Sequence, residues 1–468
     1  MESSKLIELL KTFTKTEIKL LADFLNSPYF NKSKEVISFF NYLKRFAPHF
    51  PLKRIERETV YKALYGDRTY NEFHLNRVMS NLLKQAERFI GQQKYESTKG
   101  VASYYVLSSF IDRDLNKHFE YNFKCSQEKL EQSPQRNADY YYQKYLFADT
   151  ISQQFFKKKI RQYDHSLQDT SDYFDIYFLS KKLIYTCEMI NRNKIISTAY
   201  KPQFLEEVQQ LLTKFPLESV PIIHIYYNIL LMLIEKDGTS HFQELKRLLE
   251  QYESYFLPDE KREMFGLALN YSIRRLNLGH QQFLEESFNL CRYGIKKGLL
   301  NDQNYLSPWG YKNVIKLGLM LNEYEWVKRF IETQTNELAP NFQQNALHFN
   351  LADLYYATKD FDQAVHHLNQ VEYSDIYINI DSKKLLMKIY YESNEHDALY
   401  SALAAFKQFI SRNKILSNKV KLQFKNYIYC LNLLLKIETK SLEECKKFLE
   451  SEEPIAERNW LKRIANEL

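Results

Sequence analysis

The sequence predicts an all-α protein with a separate helical module at its N-terminus and a solenoid of helical hairpins in its C-terminal half. Three observations carry that expectation. Only 10 Gly and 11 Pro occur in 468 residues, against averages of about 7% and 5%, which disfavours a fold made of many tight turns. Apolar residues recur at i, i+3, i+4 and i+7 through nearly the whole chain, with no sustained period-two alternation. From Pro221 onward the pattern comes in paired segments every ~34–40 residues, a period at which each unit needs neighbours to bury its apolar face. A chain of this length exceeds one compact core, and an array meets that constraint. Tyr (36), Phe (32) and a hydrophobic fraction of 44% supply enough apolar surface despite a mean hydropathy of −0.50, so disorder is not expected.

In chain order, residues 1–100 form a basic helical module. Thr14-x-x-Glu17 has capping-box spacing. Pro48 and Pro51 break the helical pattern, a short helix and a turn at Gly66 follow, and a longer helix carries Arg77, Lys84 and Arg88. GQQKYESTKG, residues 91–100, reads as the seam. This module holds 18 Lys+Arg against 11 Asp+Glu, while the other residues balance at 47 against 47. The whole net charge of +7 is therefore N-terminal.

Residues 101–215 read as an irregular long-helix region, with helices over 134–169 and 171–193 separated by a Ser/Asp-rich turn in SLQDTSDYF. A second basic run, FFKKKIRQY from Phe155 to Tyr163, reads as a solvated helix face. Residues 216–468 carry the paired segments: 221–256, 258–297, 308–338, 341–373, 378–411 and a looser set from 416. Pro134, Pro202, Pro221, Pro258, Pro308, Pro340 and Pro454 read as helix starts, because the ring is tolerated in the first turn and not in the interior. Ser307 adds a capping hydroxyl, and Ser240-x-x-Gln243 and Ser441-x-x-Glu444 have capping-box spacing.

Much chemistry is disfavoured. Five scattered cysteines (Cys125, Cys187, Cys291, Cys430, Cys445) with no CxxC pair suit a reducing cytosol. Cys430 and Cys445, separated by a turn, are expected as buried packing across a helix pair. The first residues show no secretory pattern. The longest apolar run, Ile222 to Ile234, falls short of the roughly 20 residues that span a bilayer, so no membrane insertion is expected and the location reads as cytoplasmic. His366 and His367 are helix neighbours pointing about 100° apart, unlike i, i+4 ligands. No phosphate-cradling Gly motif, GxSxG elbow or HExxH occurs, and Glu206/Glu207, Glu285/Glu286 and Glu443/Glu444 are sequence neighbours instead of opposed acids. No cofactor is expected, and an enzyme would have to be assembled from distant residues with no local motif.

In a frame of about 34 residues from Asn345, Leu351, Ala352, Tyr355, Ala364, Leu368 and Val371 stand where the tetratricopeptide repeat has its Leu, Gly, Tyr, Ala, large apolar and Ala residues. This stretch resembles a tetratricopeptide repeat. A second frame near Pro308 has Val314, Tyr324 and Val327 in place but Gly318 where the Tyr would be. A third has Leu386, Tyr390, Ala398 and Phe406 and is one residue short between its helices. The whole chain resembles uncharacterised bacterial helical-repeat proteins, a likeness that brings no activity with it.

The resemblance implies a right-handed solenoid in which the first helix of each pair lines a concave groove. On that basis the groove would present Trp309, Lys312, Asn313, Lys316 and Leu319 from one pair, and Ala346, Phe349, Asn350, Asp353 and Tyr356 from the next. Asn313 and Asn350 share a frame position, and an Asn amide there can pair with a peptide backbone.

The expected function is a non-enzymatic scaffold that binds a partner peptide or helix in this groove. The rival is a nucleic-acid-associated regulator using the basic N-terminal module, where Arg77, Lys84 and Arg88 lie in a loose helix-turn-helix.

Overall fold

The computed structural model describes residues 1–159, 162–193, 200–302, 304–372, 376–413, 416, 418–436, 439–451 and 453–468. Among these the chain is helical throughout, apart from one antiparallel ribbon pairing Asn301–Asp302 with Tyr305–Leu306. It divides into two compact units.

The first unit comprises Met1–Leu230 with Ser254–Phe256. Its helices are α1 (Lys5–Lys11), α2 (Lys15–Asn26), α3 (Lys34–Lys44), α4 (Arg57–Tyr65), α5 (Glu72–Ser97), α6 (Lys99–Asp112), α7 (Asn116–Gln132), α8 (Ala138–Lys157), α9 (His165–Asn193) and α10 (Leu205–Leu212). Helix α11 (Pro221–Ile234) runs through the boundary. The capping box forms as expected: Thr14 Oγ1 accepts from the Glu17 amide at 3.2 Å, and the Glu17 carboxylate accepts from the Thr14 amide at 2.7 Å. Helices α1 to α5 share one apolar cluster in which Leu10, Leu21, Phe39, Val60 and Leu82 are fully buried.

Within residues 91–100, α5 continues as far as Ser97 and breaks at Thr98, ahead of α6. An exposed Gly91 costs a helix about 1 kcal/mol relative to Ala, which the buried apolar face of so long a helix offsets. SLQDTSDYF is not a turn but the first part of α9, and the break lies upstream of it. Asp164 takes the capping role, accepting from the Ser166 amide at 2.9 Å and from the Ser166 hydroxyl at 2.5 Å. Thr170 then donates to the Ser166 carbonyl, satisfying its hydroxyl inside the helix. In the basic run, α8 ends at Lys157, and Ile160 and Arg161 lie outside the described residues.

The second unit comprises Leu231–Glu253 and Leu257–Leu468. Its helices are α12 (Thr239–Gln251), α13 (Pro258–Asn277), α14 (Phe283–Lys296), α15 (Pro308–Met320), α16 (Tyr324–Gln334), α17 (Pro340–Ala357), α18 (Phe361–Leu368), α19 (Ile376–Glu392), α20 (His396–Arg412), α21 (Asn418–Leu435), α22 (Thr439–Leu449) and α23 (Arg458–Glu467). Pro258, Pro308 and Pro340 each occupy the first helical position, where the missing N–H costs nothing. The Ser307 hydroxyl accepts from the Gly310 amide at 3.5 Å. The capping boxes at Ser240 and Ser441 do not form, since both serines lie inside their helices. Asp237 instead accepts from the Thr239 amide at 3.2 Å.

Consecutive helices pack on each other from α13 to α23, and α15, α17 and α19 also pack in sequence. Between α17 and α18, Ala352 and Ala364 are both fully buried beside Leu368, with Tyr355 packed against them. Small side chains here let the helix axes approach closely. Gly318 performs the same service in α15. A Cβ at this position would lie 2.6 Å from Val327 Cγ2 and 3.3 Å from Phe288 Cε2, so neighbouring side chains fill the space that a tyrosine would need.

Gly318→Ala therefore sets a gain in helix propensity of about 1 kcal/mol against overpacking of about 1–3 kcal/mol. Urea unfolding of the full chain is expected to show a net loss of stability. In a double-mutant cycle, Gly318→Ala with Val327→Ala is expected to be less destabilised than the sum of the two single changes.

Candidate functional site

Inside the second unit, charged side chains from α15, α17 and α19 converge with the residues that lead into α23. Lys312 of α15 pairs with one oxygen of Asp381, and Lys384 pairs with the other at 2.9 Å. Lys384 also reaches Glu457 Oε1 at 2.9 Å, while Lys388 reaches Glu457 Oε2. The result is a continuous ladder of alternating charge, and all its members except Lys312 keep less than a quarter of their side-chain surface exposed.

Glu457 takes its place with a φ of 53°, a left-handed conformation that costs a non-glycine residue roughly 1–2 kcal/mol. Burial by itself would raise its carboxyl, but the Lys388 and Lys384 ammoniums outweigh that and hold it far below the usual carboxylate range. Asp381 is likewise lowered, burial being outweighed by Lys384 and Lys312. Burial would lower Lys384, and Glu457 with Asp381 reverses the sign. Asp353 of α17 is raised by desolvation, against the opposing pull of Lys388, Lys316 and Lys312.

Beside the ladder, three donors meet one carboxylate oxygen. Glu392 Oε1 accepts from the Tyr356 hydroxyl at 2.6 Å, from Trp460 Nε1 at 2.8 Å and from Arg463 at 2.6 Å. Burial raises the Tyr356 phenol, and the Glu392 charge raises it further. The hydroxyl therefore stays protonated and donating.

The expected groove residues divide accordingly. Lys312 and Tyr356 belong to these networks, Asp353 lies within the field of their lysines, and Lys312 also lies 5.5 Å above the Phe349 ring. Trp309 is 65% exposed and Lys316 is exposed, while Asn313, Leu319, Ala346 and Phe349 are half-buried. Asn350 is corrected: it is 3% exposed, and its amide donates to the Ala346 carbonyl one turn back at 2.7 Å. It faces inward on the same helical face as buried Leu354, one turn further along α17, so its amide is not presented to a peptide.

Sequence reasoning missed Asp381, Lys384, Lys388 and Glu392, although their i, i+3, i+4 spacing on one helix face was a readable signal. Glu457 lies 73 residues from Lys384, and no local pattern marks it.

In the first unit, Arg77, Lys84 and Arg88 are exposed on α5. Arg88 is engaged with its own module, donating to the Phe30 carbonyl at 3.2 Å and lying 5.9 Å above the Phe30 ring. Arg77 sits 3.2 Å from His74 Nδ1, and His74 Nε2 is 3.1 Å from Glu35. The opposite face of α5 buries Leu75, Val78, Met79, Leu82, Ala86 and Phe89.

Among the described residues no three His, Cys, Asp or Glu side chains are grouped to hold a metal. His367 Nδ1 lies 3.1 Å from His348 Nδ1, and burial lowers both rings, which favours their neutral forms. His366 instead meets Gln370 at 2.8 Å. Cys430 and Cys445 are free and buried, with Cys445 Sγ 3.8 Å from the Cys430 carbonyl. No helix of the described residues is long and apolar enough to cross a membrane. No protein-family model, no curated protein and no solved structure matches the chain.

Glu457→Gln leaves two largely buried ammoniums without their shared carboxylate and is expected to cost about 2–4 kcal/mol, below the full penalty for a wholly buried pair because water reaches the edge. The pH dependence follows from the lowered carboxyl. Its contribution is complete above about 4.3, the ordinary glutamate value, and is lost as pH falls toward the depressed native value. Acid unfolding followed by circular dichroism is expected to show this loss in the parent chain and to lack that component in Glu457→Gln.

Proposed function

We propose that the protein is a non-enzymatic scaffold whose C-terminal helix pairs form a right-handed, tetratricopeptide-like solenoid and receive a partner peptide or helix along the face made by their first helices. The observation that carries this reading is the charged ladder, because the first helices α15 and α19, two pairs apart, meet through it at side chains 69 residues apart. That geometry supports a shared inner surface. Buried ion pairs are often no more stable than well-packed apolar residues, so their concentration on one face favours recognition over packing as their role. Lys312, Lys384, Lys388, Asp381 and Glu457 are engaged with one another, which supports binding and gives none of them the position of a general acid or base. Trp309 and Lys316 supply the accessible part of the face, an aromatic anchor and a cation.

The test is site-specific photo-crosslinking in the native cells, with a benzophenone amino acid at Trp309 or Lys316 and a control at exposed Tyr400 on α20. One protein adduct enriched at both inner positions over the control is expected. Equal adducts at all three positions would refute the inner-face assignment.

The nucleic-acid rival rests on Arg77 and Lys84, two exposed cations seven residues apart on α5. It requires DNA binding that weakens steeply with salt. Fluorescence anisotropy of labelled duplex and single-stranded DNA is expected to show no such binding even at low ionic strength.

A further inference from the structure

A second surface of the same unit has the features of a binding site and shares no residue with the ladder. Between α14 and α16 lies an open groove of about 590 Å³ whose lining contains no Asp or Glu. Its floor is aromatic: Trp326 stacks on Phe330 with centroids 5.0 Å apart and planes at 15°, and Phe288 meets Trp326 edge-on at 5.0 Å. Three cations, Arg292, Lys296 and Arg329, stand around this floor, and all three are exposed.

None of the three forms an ion pair among the described residues, although neighbouring cations do. Lys297, the next residue after Lys296, pairs with Glu253 at 2.9 Å, and Lys246 pairs with Glu286 at 2.6 Å. Arg292 is held in place without a carboxylate: its guanidinium lies 5.7 Å from the Phe288 ring and 5.6 Å from the Trp326 ring. Stacking leaves the in-plane N–H donors of a guanidinium free, and those donors fit a carboxylate in bidentate fashion.

We propose that this groove binds an acidic segment of a partner protein, with an apolar side chain seated on Trp326 and Phe330 and flanking carboxylates paired with Arg292, Lys296 and Arg329. The occupant follows from complementarity. A cleft of this volume takes a few side chains, the floor removes apolar surface from water, and three positive charges with no acidic neighbour in the lining select negative charge and repel basic segments.

The experiment uses the full chain and a fluorescein-labelled peptide of alternating Glu and Leu, with a Gln–Leu peptide and labelled oligothymidine as comparators, read by anisotropy at low ionic strength. Saturable binding of the Glu–Leu peptide is expected, weakening with salt. It should fall by about tenfold in Arg292→Gln/Arg329→Gln, the loss expected for removing two charge-assisted contacts. Lys296→Gln/Arg329→Gln leaves the Arg292 stack intact and should weaken binding in the same direction, with unchanged circular dichroism in both variants.

No binding of the Glu–Leu peptide, equal binding of the Gln–Leu peptide, or unchanged affinity in the variants would overturn the proposal. Tighter binding of oligothymidine through the same residues would also overturn it, since the groove would then be a nucleic-acid site. Neither Trp309 nor Lys316 lies in this groove, so the result is independent of the inner-face crosslinking.

Discussion

The second unit depends on how closely its helices approach one another, and that distance is set by side chains that are small or missing. Ala352 and Ala364 meet with no exposed surface, and Gly318 yields its space to Val327 and Phe288. Helix pairs of this size do not bury enough apolar surface alone, so each depends on a neighbour. The first helices α15, α17 and α19 also pack in sequence, so side chains two pairs apart can touch, as Lys312 and Asp381 do.

The ladder in turn gives the face it occupies its character. Desolvation works against the charges of Glu457, Asp381 and Lys384, and the neighbours of opposite sign decide the outcome: Glu457 and Asp381 stay ionised, whereas Asp353, with cations near but none bonded to it, is pushed the other way. Charge is thus fixed by position along the face. The groove between α14 and α16 has the contrary arrangement, with cations and no acid in the lining. The two surfaces suit different ligands for that reason.

Helical content was readable because it rests on local signals. Prolines at first positions, a period near 3.6 and a Gly-poor composition placed the paired segments within a few residues of α13 to α20. Local signals also misled where two were close together: Ser166 and Asp169 read as a turn, but Asp164 took the cap and drew the following Ser/Asp residues into α9. Ser240 and Ser441 have cap-like spacing but sit inside the first turn of their helices. The site was harder to read. Lys312, Asp353 and Tyr356 were found by frame position, whereas Asn350 shares that frame and faces inward. The partners that complete the networks, Glu457, Trp460 and Arg463, come from a distant segment, and tertiary pairing at such a separation leaves no periodicity behind.

The separation between Glu457 and its lysines has a meaning in time as well as in space. A chain is made from its N-terminus at about 5–20 residues per second, and Glu457 follows Lys388 by 69 residues. Lys384 and Lys388 therefore exist for roughly 3–14 s of synthesis before their shared carboxylate has been added. During that interval, among the described residues, Lys384 has only Asp381 as its partner and Lys388 has no carboxylate at all, and the ladder reaches its final charge balance only when the segment leading into α23 arrives.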